Sequence, residues 1–491
     1  MLKFFLWTTG GNVFSRALVF LSMLFMARSL GAEDFGKFSI YKGAIETIVV
    51  LGSFRFGVSL ITSISQNKLP FSSLFKIFGK LLAIIAVIIT IGVIVFSDFI
   101  LSDLFKGAFD SKYILLILVG VLSGLFNIFF ISCLTGLQHF KNLSINLIVT
   151  SLFYSLLIIG GTMYFGLLGC VIAFTLQSVL LITLNFKTLT SKNIIKKIFV
   201  SKNDYTKILK YTKKVSGPLY LSSLLDNPIV WLNNFVLLTF SDDFSNVGSI
   251  SSILLLGSVI GTFNMALGQI LLTVLSKNKI NEGSGDININ FLNLLLSTTI
   301  SVMIVLPFLL NKKFFILMFG DLYSIESLHA LLWVILSSYV LTSFRDNVIR
   351  LNIVAEKTTF VFFEQLLFGL SSILIMFLFI KDDIIMGRAW SMLLPFSLYF
   401  LIFIPVYINK KILKINLEEI KYMLVLLFVI VAAYFLSGKL SGFSQTIGLL
   451  IVLYSFIIIA FAHWGNIPLK LYLSIILERI NKFSIMKVFK N

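Results

Sequence analysis

Arg16, Lys42, Glu46, Arg55, Asp226, Arg345, Asp346, Arg350, Glu364 and Arg388 all lie inside long apolar runs of this chain. A charge at bilayer depth costs about 2.5–3.5 kcal/mol on insertion scales, so each should face protein or a water-filled cavity. The arginines suggest the chemistry. A guanidinium stays charged when buried, and its planar fork forms bidentate, charge-assisted hydrogen bonds with phosphate oxygens. At 1.5 Å per helical residue, Arg16, Arg55 and Arg345 fall at one level, roughly 10–12 Å in from the same end of their helices. Arg350 lies nearer the mouth and Arg388 near the opposite end. Such a cavity would take a diphosphate-like anion. Local pairing is the alternative, Lys42 with Glu46 one turn on and Arg345 with the adjacent Asp346. Arg16 and Arg55 have no acid within a turn, which leaves ligand contact or snorkelling to the interface.

Other chemistry is sparse. Asp226 sits between Pro218 and Pro228 in a run that the prolines bend, which suits a cation site, a rocking hinge or a static kink. Cys133 and Cys170 have no companion at metal-ligand spacing and read as buried free thiols. His139, His329 and His463 lie far apart near span ends. No GxxxxGK[ST] loop is present, and no large outer loop carries paired carboxylates or a Ser/His arrangement that would suit a glycan-building enzyme. The pairs Asp242-Asp243 and Asp382-Asp383 fall in very short loops, where acidic turns are ordinary.

The elements that position these residues are membrane helices. The 491 residues are 58% apolar and 13% charged, with a mean hydropathy of +1.00, far from the composition of a soluble domain. Fourteen candidate spans are read at roughly 9–27, 38–62, 78–97, 113–136, 143–165, 167–186, 215–240, 248–275, 291–310, 328–353, 358–380, 386–408, 422–438 and 444–462. One set of alternate loops, with the two ends, holds 26 Lys and Arg against seven in the other set. That bias places both termini in the cytoplasm. The net charge of +18 therefore orients the chain and does not imply nucleic acid. The N-terminus lacks the pattern of a cleaved signal peptide.

The spans divide into an N-terminal six-helix bundle (1–186), a basic cytoplasmic linker (187–214), a C-terminal six-helix bundle (215–408), two extra helices (409–462) and a basic interfacial tail (463–491). The linker, with nine lysines, reads as an anchor on anionic lipid, and the tail lies on the inner surface. Weak internal similarity relates the halves. The stretch beginning Leu134-Thr135-Gly136 corresponds to the one beginning Arg350-Leu351-Asn352, and AEDFGKFSI after span 1 echoes SDDFSNVGSI after span 7. The expected fold is an all-α polytopic membrane protein, two pseudo-symmetric bundles around a central cavity.

The block ARSLGAEDFGKFSI…GSFRFGVSLI, with Ala27-Arg28, Leu30-Gly31, Glu33-Asp34-Phe35-Gly36 and Phe56-Gly57, resembles the start of the Wzx-type polysaccharide flippases. These share a superfamily with multidrug exporters and the lipid II flippase. The resemblance implies movement of an undecaprenyl-diphosphate-linked oligosaccharide, such as an O-antigen unit, across the bacterial inner membrane by alternating access. It implies no cofactor beyond a coupling Na+ or H+. Possible partners are membrane lipids, a polysaccharide polymerase and a chain-length regulator. By matching of spans, Asp226 and Glu364 would be coupling acids, with Glu46, Asn264, Gln269 and Arg388 as polar cavity positions. Span 8 offers Asn264 and Gln269 but no charge, unlike the lipid II flippases. Rival readings are a lipid II flippase, a cation-coupled drug exporter and a membrane glycan-assembly enzyme.

Overall fold

The computed structural model describes residues 2–54, 56–65, 71–191, 220–221, 225, 227–278, 289–323, 327–354, 357–379, 383–410, 413, 416–437 and 442–464. Arg55, Asp226 and nearly all of the linker and tail lie outside them. Every regular element among these residues is helical. The main ones are α1 (Leu2–Ser53), α2 (Phe56–Ser65), α3 (Phe71–Val95), α4 (Lys112–Gly136) and α5 (Phe140–Ser191). They continue with α6 (Asn227–Ser241), α7 (Phe244–Asn278), α8 (Ile289–Leu310), α9 (Leu328–Val354) and α10 (Thr358–Leu378). An interrupted helix α11 (Ile384–Asn409) precedes α12 (Leu417–Ser437) and α13 (Phe443–Trp464).

Eleven helices among the described residues are long and apolar enough to cross a membrane, and α6 is a shorter apolar helix. Two of the eleven, α1 and α5, are each broken at one glycine. Gly31 (φ 79°) divides α1, and Gly166 (φ 55°) divides α5, backbone conformations that a side chain would strain. In α5 the Thr162 hydroxyl lies 3.1 Å from Cys170 Sγ and Asn146 donates to Asn185 Oδ1 at 2.9 Å, so its arms run antiparallel. Gly161 and Gly169 let those arms touch, since a Cβ on either would collide with the other's backbone. With both hairpins counted as two crossings and α6 added, the described helices supply the fourteen segments expected.

Three boundaries differ from expectation. The polar stretch 28–37 falls outside both spans read from the sequence, yet only Gly31 leaves helical geometry there. Glu33 and Asp34 instead begin the second arm, where acids suit the helix dipole, and Lys37 pairs back to them at 2.8 and 3.0 Å. Span 2, expected to run to residue 62, stops at Ser53. Phe54 adopts φ 45° and α2 begins at Phe56. α12 is longer than expected because Glu418 and Glu419 form its first turn, with Glu419 Oε2 accepting from the Asn416 amide at 2.6 Å.

Packing separates interior from lipid-facing helices. α8 and α9 are the most enclosed of the candidate spans. Asn347 joins them by donating to Leu294 O at 2.7 Å and accepting from Ser297 Oγ at 2.7 Å. α12 and α13 present Leu427, Phe428, Phe435, Ile451 and Ile459 outward, a surface that hydrocarbon covers without penalty.

Candidate functional site

A cavity of about 500 Å³ lies between the two arms of α1 on one side and α6 and α7 on the other. This volume is within the ordinary range for ligand sites. Its charged lining residues are Arg16, Lys42 and Glu46, and Ser39, Asn234, Ser251, Ser258 and Thr262 add polar groups. Lys42 Nζ is 3.4 Å from Glu46 Oε1, as their one-turn spacing predicts. Arg16 has no acid partner among the described residues and reaches across the cavity, where Nη2 lies 3.8 Å from Met265 Sδ. The cavity therefore holds one neutralised pair and one unpaired guanidinium.

The two walls close on each other at the Gly31 end. Gly36 packs so tightly on Phe244, and Gly248 on Ala32, that a Cβ at either glycine would collide with a carbonyl oxygen. Tyr323 donates to Ala27 O at 2.8 Å, Arg28 to Leu317 O at 3.1 Å, and Trp231 Nε1 to Ile40 O at 3.3 Å. Lys106 and Asp242 form a 2.9 Å ion pair across the same end. Lining residues there, Met23 and Phe35, are buried, whereas Arg16, Ala17 and Phe263 toward the other end are exposed. The cavity is shut at one end and opens at the other.

The structure brings only some of the predicted residues together. Arg16 and Glu46 line the cavity. Arg345 does not. It is buried, with Nε 3.5 Å from Glu364 Oε1 and its guanidinium stacked 4.4 Å from the centroid of Phe368. Its ion pair is thus with Glu364 on α10, where the sequence suggested the adjacent Asp346, because successive helical residues point apart. Glu364 is itself enclosed and accepts from Tyr407 at 2.6 Å. Arg350 is also off the cavity, donating to Asn293 and Asn347 between α8 and α9. Asn264 faces α9 and accepts from Ser343 at 2.8 Å. Arg388 is buried behind the wall, with Nε 3.0 Å from Asn234 Oδ1. Gln269 lies on α7, and Arg55 and Asp226 lie outside the described residues. The expected convergence of Arg16 and Arg345 on one site is therefore not found in this conformation.

Sequence reasoning passed over Trp231, Asn234, Ser251, Ser258 and Thr262. Ser251, Ser258 and Thr262 recur at seven and four residues along α7, which puts them on one face of that helix. That periodicity was the available signal.

Helix hairpins enclosing a cavity that is closed at one end, mostly apolar but carrying Arg16, Lys42 and Glu46, define a polytopic membrane protein. Residues 1–270 match the family model described as "Polysaccharide biosynthesis protein", and the chain belongs to that family. No curated protein matches the sequence. Among solved structures, the chain is similar to the lipid II flippase MurJ in an inward closed conformation, at 16% identity, covering 94% of this chain and 99% of that one, with a TM-score of 0.66. It is also similar to an inward-facing multidrug resistance MATE family transporter of the MOP superfamily, at 16% identity and 79% and 93% coverage, with a TM-score of 0.62. A MOP superfamily transporter from Pyrococcus furiosus, described as having a binding pocket of reverse polarity, matches at 15% identity, 81% and 94% coverage and a TM-score of 0.57. At these identities the likeness is one of fold.

Proposed function

We propose that the chain is a flippase that carries an undecaprenyl-diphosphate-linked oligosaccharide from the cytoplasmic to the outer leaflet by alternating access. The observation that carries this reading is the cavity lined by both halves, with Arg16 free of any acid among the described residues. Arg16 would meet the diphosphate, and Ser251, Ser258 and Thr262 of α7 would meet the sugars. Membership of a polysaccharide biosynthesis family supports a glycan cargo. The excess of basic residues in one set of loops supports cytoplasmic termini in a bacterial inner membrane. In that orientation the Gly31 end is the outer gate, and the cavity is open to the cytoplasm.

The halves 1–186 and 215–408 would rock about the cavity while 409–462 pack outside them. Coupling to Na+ or H+ would act through Asp226 or Glu364. Glu364 is already engaged by Arg345 and Tyr407, so an ion there must compete with the guanidinium. A polymerase and a chain-length regulator would receive the product.

The test is the surface glycan profile of a deletion strain, with its lipid-linked intermediates extracted. Loss of surface polymer with oligosaccharide trapped on the inner leaflet supports the reading. A normal profile with new drug sensitivity points to an exporter, and lethality rescued by a lipid II flippase points to wall synthesis.

A further inference from the structure

Arg388 is a buried cation that the flippase reading leaves without a task. It lies one turn into α11, whose start is fixed by Asp383 accepting from the amides of Ile385 and Met386. The residue is 1% exposed. Its Nε donates to Asn234 and its Nη1 to Ser391 at 3.2 Å, both neutral acceptors, and its Nη2 is buried with no hydrogen-bond partner. No carboxylate pairs with it among the described residues. Arg345, also buried in this half, has Glu364, and Arg350 donates to the neutral Asn293 and Asn347, but among the described residues neither of these arginines contacts a residue of the cavity wall. A guanidinium withdrawn from water and left without a counter-charge is held at a steady penalty, which an arriving anion would relieve.

The place of Arg388 says where that anion would come from. Asn234 lines the cavity, so one amide side chain separates the guanidinium from the transport path. Asn234 lies seven residues from the end of α6 at Ser241, whereas Arg16 lies fifteen residues from Gly31. At 1.5 Å per residue, Arg388 is therefore roughly 10 Å nearer the closed end than Arg16. We infer that Arg388, screened by Asn234, is a second oxyanion station, which takes a phosphate or carboxylate of the cargo after Arg16 has taken it at the open end. Rotation of the Asn234 amide would hand the buried Nη2 to the incoming oxyanion as a charge-assisted donor. This inference rests on the flippase reading and adds the site to it.

Asn234→Asp tests it with a nearly isosteric change. The new carboxylate would give Arg388 a permanent counter-charge and occupy the station. The full-length purified protein is titrated with inorganic diphosphate, farnesyl diphosphate and glucuronate, with thermal stability as the readout, and complementation of the deletion strain is scored alongside. The expected result is N234D protein at least as stable as wild type, with anion affinity at least tenfold weaker and surface polymer lost. Loss confined to the diphosphates identifies a phosphate station, and loss confined to glucuronate an acidic-sugar station. Arg388→Gln should show the same binding loss, and it serves if N234D fails to accumulate. Unchanged affinity and complementation in either folded variant overturns the station. If that occurs while Arg16→Gln abolishes transport, the station alone fails. A deletion strain with a normal glycan profile removes the flippase reading as well.

Discussion

Arg345 on α9 and Glu364 on α10 form an ion pair at 3.5 Å inside the C-terminal helices, and neither lines the central cavity. The two most obvious intramembrane charges of that half are therefore spent on each other. Tyr407 from α11 closes the group by donating to Glu364, so three helices are fastened at one buried point.

Removing one member of such a pair strands the other. Arg345→Met or Glu364→Leu alone should destabilise the protein by about 3–5 kcal/mol, whereas the double substitution should recover most of the loss. Thermal unfolding in detergent across the four-member cycle measures the coupling directly. Additive losses would show that the pair contributes nothing as a pair.

The cavity pair behaves differently because it is half exposed. Breaking Lys42–Glu46 should change stability by less than about 1 kcal/mol. Its charge balance should matter more. Glu46→Gln releases a second cation beside Arg16 and should tighten diphosphate binding several-fold, and Lys42→Met should weaken it. Equilibrium titration of the two purified variants checks the opposite signs.

Closure at the Gly31 end depends on backbone approach at Gly36 and Gly248. Gly36→Val should hold that end apart. A short bis-maleimide cross-link between Lys106→Cys and Asp242→Cys, at the site of the 2.9 Å ion pair, should form in the otherwise native chain and fall several-fold when Gly36→Val is added. Equal cross-linking in both backgrounds would place the closure elsewhere.

Much of this architecture was legible in the sequence because a bilayer demands contiguous apolar runs of nearly fixed length. The Lys42–Glu46 pair was legible too, since one helical turn fixes its geometry. The partners of Arg345 and Arg350 were not, because Glu364 and Asn293 meet them only through packing between helices distant in the chain. The stop at Phe54 was hidden in the same way. Hydropathy runs straight across it, and nothing in Ser53-Phe54 marks a left-handed residue.

The central claim is that Arg16, unpaired among the described residues at the open end of the cavity, captures an anionic lipid-linked glycan. It is tested most directly by complementing the deletion strain with the Arg16→Ala/Arg55→Ala double variant at matched membrane abundance. The account predicts loss of surface polymer and accumulation of lipid-linked oligosaccharide on the inner leaflet. Wild-type polymer levels in that strain would contradict it.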